Sequence, residues 1–157
     1  MPKPLTFELK GETQLVVTRD FDAPPAVVWR AHMEPSLVKK WQNGGGEGWE
    51  VAEVEIDARV GGRYRMLHRG PGYEFQITGI FLEVEAPHRV VQEEIMLLPD
   101  PTPPNIVETL FMARGEGTRM VMTMTVPDAE VRQQMMDTGM LDGMELSYQN
   151  LDALEAA

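Results

Sequence analysis

Cysteine is absent from this sequence, which excludes disulfides, thiolate metal sites and a cysteine nucleophile. Histidine is scarce. His32, His68 and His88 are the only three, and their spacing matches no metal motif of the H-E-x-x-H kind. No G-x-S-x-G elbow occurs, so a serine hydrolase of that type is not indicated. Gly44-Gly45-Gly46-Glu47-Gly48 is glycine-rich but lacks the following Lys-Ser/Thr of a phosphate loop. Positive charge is short as well: 14 Lys and Arg stand against 25 Asp and Glu, for a net charge of −11. Nucleic acid and anionic membrane, both negatively charged, are therefore disfavoured as partners. There is no apolar run of about 18 residues, and Met1-Pro2-Lys3-Pro4-Leu5-Thr6-Phe7 lacks the apolar stretch of a signal peptide. The expectation is no membrane insertion, a cytoplasmic location, no cofactor, no metal site and no catalytic residue that motifs alone assign.

What is present is ordinary for a globular chain. The 157 residues are 43% hydrophobic and 25% charged, which fits one domain with a sizeable core. Residues 1–12 read as an N-terminal lead-in and 13–157 as the domain. Leu15–Phe21 is rich in β-branched residues and predicts a strand. Pro24 and Pro25 open a short helix over Ala26–His32, and Pro35 opens a second, ended by Asn43 and the glycines after it. From there the period becomes two. Strands are predicted over Val51–Ile56, Arg63–His68, Tyr73–Val84, Arg89–Met96, Val107–Ala113 and Thr118–Val126, with Gly and Pro clusters between them. Pro127-Asp128 then begins helical sequence that is interrupted at Gly139. Its second piece, Met140 to about Leu154, carries Met140, Leu141, Met144, Tyr148 and Leu151 on one stripe. Consecutive strands with short turns predict an antiparallel sheet, one face of which the helices cover.

The 12 methionines are concentrated towards the C-terminus. Met120, Met122 and Met124 share one face of a predicted strand, and Met135, Met136, Met140 and Met144 lie on the helical segment that should cover it. Methionine is unbranched and polarizable, so two facing Met-rich surfaces would form either a deformable pocket lining or a plain core. Tyr64, Met66 and His68 share one face of their strand, and Tyr73, Phe75, Ile77 and Phe81 are in phase on the next. On Arg89–Met96 one phase holds Val90, Gln92 and Glu94, and the other Val91, Glu93 and Ile95. The rarity of buried charge favours Val91 and Ile95 as the inward set, leaving Glu94 in water. The opposite phase would aim Gln92 and Glu94 into a pocket, where a Glu near His68 could anchor a polar group or act as acid or base. Trp29 and Trp41 are expected to pack the short helices, and Trp49 to lie in the core or at a pocket mouth.

Several segments, in order, resemble one family. They are Arg19-Asp20-Phe21-Asp22-Ala23-Pro24 with Val28-Trp29-Arg30-Ala31, then Pro35 to Trp41, then Val60-Gly61-Gly62-Arg63-Tyr64-Arg65. Gly79 to Val84 before Pro87, Gly117-Thr118-Arg119-Met120, and Gly139 to Leu151 complete the set, which spans about residues 13–155. The chain resembles the START-like (SRPBCC) superfamily, in the subgroup similar to the C-terminal domain of the heat-shock-protein-90 ATPase activator. Where relatives often carry two aromatics and a glycine after the second helix, this chain has Trp41-Gln42-Asn43.

The resemblance implies an α+β helix-grip fold: a curved antiparallel β-sheet around a long C-terminal α-helix, with two short helices after strand 1 and a cavity between sheet and helix. It implies binding of a small hydrophobic molecule, lipid-like or aromatic. The candidate ligand-binding residues are Tyr64, Met66, His68, Phe75, Ile77, Phe81, Glu94, Met120, Met122, Met124, Met140, Met144 and Tyr148. The C-terminal helix or the Gly44–Gly48 loop would serve as gate. Two alternatives stay open: a chaperone-regulator-like protein-interaction module with a protein partner, and a cyclase or hydrolase-like enzyme using His68 or Glu94 in the same pocket. A homodimer also stays open.

Overall fold

A computed structural model describes residues 4–43, 47–98 and 100–156. Among them the chain forms eight strands and four helices. They run β1 (Thr6–Lys10), β2 (Gln14–Phe21), α1 (Pro25–Met33), α2 (Pro35–Trp41), β3 (Glu50–Ile56), β4 (Arg63–Gly70), β5 (Tyr73–Glu85), β6 (Arg89–Leu97), β7 (Asn105–Arg114), β8 (Gly117–Thr125), α3 (Ala129–Asp137) and α4 (Met140–Ala156). All strands join one antiparallel sheet in the order β1-β2-β8-β7-β6-β5-β4-β3. Six consecutive strands, β3 to β8, each pair with the next and need only short connections. The pairing of β2 with β8 brings the N-terminal part of the chain beside the last strand.

The strand alternation decides what faces inward. Along β2 every second residue is buried, giving Leu15, Val17, Arg19 and Phe21, and a one-residue slip would expose all four. The helices arise where the period changes. Proline stands at the start of both α1 and α2, where its missing N–H costs nothing. Trp41 closes α2 against α1 by donating its indole N–H to the Ala31 carbonyl at 2.8 Å. The Asp128 carboxylate caps α3 by accepting the Val131 N–H at 2.9 Å. Gly139, at φ +76°, supplies the left-handed residue that separates α3 from α4.

Two elements differ from the sequence expectation. Within the stretch expected as a lead-in, Thr6–Lys10 forms β1, paired Phe7 to Val17 and Leu9 to Leu15. The prolines that made this stretch read as loose both precede the strand. The two short helices consequently follow the second strand, not the first.

Packing places α4 across the inner face of the sheet. Tyr148 and Leu151 are buried in a cluster with Phe21, Trp29, Trp41, Tyr64, Phe81 and Phe111. Burying two side chains of that size is worth roughly 1.5–3 kcal/mol each. A second cluster gathers Leu15, Val17, Val107 and Met124, with Met135, Met136, Met140, Leu141 and Met144 against it. An ion cluster ties the same helix to β2. Arg19, only 2% exposed, donates to Glu145 and to Asp152 through both sides of its guanidinium at 2.8–3.2 Å, and Glu145 also accepts the Leu5 N–H at 2.9 Å.

Candidate functional site

Between the sheet and α4 lies a cavity of about 380 Å³, at the small end of the roughly 300–1,000 Å³ usual for ligand pockets. Its walls come from α1, α2, β3 to β8 and α4. Of the residues expected from the sequence, Tyr64, Met66, His68, Phe75, Ile77, Phe81, Glu94, Met122, Met124, Met140, Met144 and Tyr148 line it. Met120 does not. It is fully buried beneath the wall, paired across β7 with Phe111, and belongs to the packed core.

The inward phase of β6 is Val90, Gln92, Glu94 and Met96, opposite to the one that the rarity of buried charge favours. Register explains how the carboxyl is accommodated. Gly79 on β5 stands between Tyr64 on β4 and Glu94 on β6, paired with both. With no side chain at Gly79, the Tyr64 ring lies across β5: a Cβ there would come within 2.3 Å of the Tyr64 ring and hydroxyl and 2.5 Å of the Glu93 carbonyl oxygen. The Tyr64 hydroxyl thereby reaches Glu94 and donates to it at 2.8 Å. Glu94 is half-buried and lines the cavity. Burial raises the Glu94 carboxyl above its ordinary value, against the Tyr64 bond that lowers it. Burial likewise raises the Tyr64 hydroxyl, with the neighbouring Glu94 charge adding to the effect.

Two imidazoles complete the polar part of the wall. The His32 Nδ1 lies 2.8 Å from the Val28 carbonyl. A carbonyl only accepts, so the proton is on Nδ1 and the Nε2 of the neutral ring is an acceptor. That Nε2 is buried without a partner, and burial lowers the ring to about 4 despite the Val28 bond. His68 stacks flat on Phe75 at 4.8 Å. Its Nε2 is also buried and unpartnered, and burial lowers its pKa as well. Burial thus favours the neutral form of both rings, and among the described residues the cavity wall contains no lysine or arginine. Trp49 lies over Gly70 and beside Tyr73 and Phe75, next to the wall and not part of it.

His32, Gln42, Met96, Thr109 and Ser147 are wall residues that sequence reasoning missed. A signal existed for two of them. His32 is one helical turn beyond the apolar Val28, and Thr109 shares its phase with Val107 and Phe111. Gly44–Gly46, most of the loop expected as a gate, lie outside the described residues. A depression of about 490 Å³ on the opposite face of the sheet is lined by Glu55, Arg63, Arg65, Thr78 and Glu93 among others. Arg65 there is already paired with Glu53 and Glu55. Among the described residues no group of three or more potential metal ligands converges, and no helix is long and apolar enough to cross a membrane.

A curved antiparallel sheet, a C-terminal helix across it and a cavity between them define a helix-grip protein of the START-like (SRPBCC) type. Within that class, residues 22–155 match the family described as "Activator of Hsp90 ATPase homolog 1-like protein", and the chain belongs to this family. A crystal structure of a Rhodobacter sphaeroides protein superposes with a TM-score of 0.89 at 26% identity, covering 97% of each chain. A Mycobacterium smegmatis protein gives 0.85 at 24%, covering 98% of this chain and 96% of that one. A Chromobacterium violaceum protein gives 0.75 at 25%, covering 90% and 96%. No curated protein matches the chain.

Proposed function

We propose that the chain binds a small, mainly apolar molecule in the cavity between the sheet and α4. The observation that carries this reading is the composition of the wall. Met66, Met96, Met122, Met124, Met140 and Met144 face one another across a space that Tyr64, Phe75, Phe81, Trp41 and Tyr148 edge with aromatic surface. Methionine reshapes itself at low cost around irregular apolar partners, while Glu94, His32 and His68 give the interior a few fixed polar points. Binding would bury ligand surface at roughly 25 cal/mol per Å² of apolar area. Native mass spectrometry on freshly purified protein, followed by solvent extraction, tests it. Extra mass that leaves on extraction supports a carrier. A clean apo mass, together with no binding of any apolar probe in solution, sinks the reading.

A second reading, a protein-interaction module, is favoured by one observation. Phe7 and Leu9, 51% and 44% exposed, stand on edge strand β1, and exposed edges invite pairing with another chain. Co-purification of the pure protein with Hsp90, lost in a Phe7→Ser/Leu9→Ser variant, would support it. Absence of any association would count against it.

A further inference from the structure

Among the described residues, Glu94 is the one carboxyl of the cavity wall and no lysine or arginine faces it. Glu94 accepts a single hydrogen bond among the described residues, from Tyr64, whereas a carboxylate has about four lone-pair sites. Buried carboxylates are normally paired with a cation or satisfied by several donors. Elsewhere in this molecule that rule holds: Glu145 and Asp152 share Arg19, and Asp20 is held by Arg119 and Arg114. In the cavity every other titratable group is neutral or lacks positive charge. These groups are His32 on α1, Tyr64 and His68 on β4, and Tyr148 on α4. The two histidines also leave Nε2 atoms without hydrogen-bond partners; on His32 this atom is an acceptor that needs a donor.

We propose that the molecule bound in this cavity is an apolar amine, whose protonated nitrogen sits against Glu94 while its hydrocarbon part lies among the methionines. The inference rests on the cavity being a ligand site and names the ligand's chemical class. An ammonium brings one positive charge and up to three donors, which suits a carboxylate that accepts one hydrogen bond from Tyr64. Tyr64, Phe81, Trp41 and Tyr148 line the same cavity, and aromatic rings are surfaces that attract cations. A carboxylate or phosphate head would place a second negative charge beside Glu94 with no cation in reach. An alcohol would satisfy an acceptor but leave the charge unbalanced.

Titration calorimetry at physiological salt with n-octylamine, n-octanol and octanoate tests this. The tails are alike, so head-group preference is read directly. Octylamine should bind about tenfold tighter than octanol and about a hundredfold tighter than octanoate. Glu94→Gln should weaken octylamine by about tenfold and leave octanol within about threefold. That change removes one charge from a protein of net charge −11, so general attraction of amines to an acidic surface stays nearly constant. If Glu94→Gln folds poorly, Glu94→Leu serves, since replacing a buried ionisable group by an apolar one of similar size tends to be neutral or stabilising. Equal affinities for the three probes, or an amine affinity indifferent to Glu94, would overturn the amine inference and leave the cavity reading standing. Binding of none of the three would overturn both.

Discussion

Arg19 and Glu94 occupy inward positions of the same sheet, and the two places handle buried charge in opposite ways. Around Arg19 the accounting closes. One guanidinium meets two carboxylates that lie about two turns apart on α4, and although burial alone would lower the Arg19 pKa, the bonds to Glu145 and Asp152 outweigh it and hold it above the ordinary value. Around Glu94 it does not close. One tyrosine donates, no cation lines the cavity, and burial pushes the carboxyl up. The first place fastens α4 to β2, whereas the second leaves a carboxyl with no counter-cation among the described residues.

The largest effect is expected from breaking the first place. Arg19→Met leaves Glu145 and Asp152 facing each other without their cation, and should cost about 3 kcal/mol in urea unfolding. Glu94→Gln should cost less than about 1 kcal/mol, because the amide oxygen can still accept the Tyr64 hydroxyl. Similar losses from both variants would make Glu94 a second structural anchor and abolish the contrast. Next in size is Gly79→Ala. Its Cβ would overlap the Tyr64 ring and the Glu93 carbonyl oxygen, and should cost about 2 kcal/mol and move the Tyr64 hydroxyl off Glu94. Near-ultraviolet circular dichroism reads the tyrosine displacement. A variant with wild-type stability and spectrum would show that the ring is not held by the absence of a side chain at position 79.

The strand order of residue types made most of this fold legible in advance. Period-two alternation, Gly turns and the stripe on Met140–Leu154 gave seven of the strands and all four helices, and the ordered family segments pointed to the cavity. What alternation could not decide was the phase of β6. Val90-Val91-Gln92-Glu93-Glu94-Ile95 has an apolar residue at the start of each phase, so the choice fell to the general rule that charge avoids the interior. The rule failed there because Tyr64 lies two strands away and reaches Glu94 only over Gly79, a relation that exists across strands and not along the chain. β1 was missed because its only patterned residues, Phe7 and Leu9, are few and follow two prolines. Arg19 shows the converse: its partners Glu145 and Asp152 lie 126 and 133 residues away in the chain, and only the fold brings them to the buried guanidinium.

Acidity offers a smaller but sharper test, because two carboxyls of α4, Glu145 in the Arg19 cluster and Glu155 outside it, respond to pH with opposite sign. Burial alone would raise the Glu145 carboxyl, but bonds from Arg19 and the Leu5 N–H outweigh it and hold it below the ordinary 4.5. Its contribution is thus present above that value and lost as pH falls through the lowered one. Glu155, near the end of α4, behaves in reverse. Its carboxylate oxygens are buried without partners, and burial together with Asp152 and Asp22 raises it to about 7. Folding therefore favours its protonated form, and that advantage is lost as pH rises from 4.5 through about 7. Glu155→Gln should stabilise by about 1 kcal/mol at pH 8, a figure reduced for its partial exposure, and by nothing measurable at about pH 4. Equal gains at both pH values would mean that the effect comes from packing or helix propensity and not from charge.

The smallest expected change in stability concerns the methionines, and it bears most directly on what the cavity is for. An ion cluster such as that of Arg19 demands one geometry, whereas a wall of unbranched side chains tolerates many. Replacing Met122 and Met144, which face the cavity from the sheet and from α4, with leucine nearly conserves volume and should change stability by less than about 1.5 kcal/mol. It should nevertheless narrow the range of tail shapes accepted. Octylamine would bind the double variant within about threefold of wild type, while a bulkier cyclic amine such as adamantylamine would lose about tenfold. If both amines keep their wild-type affinities, the methionines are filler that leucine replaces without consequence. If both lose affinity alike, the substitution has closed the cavity and has not merely stiffened it.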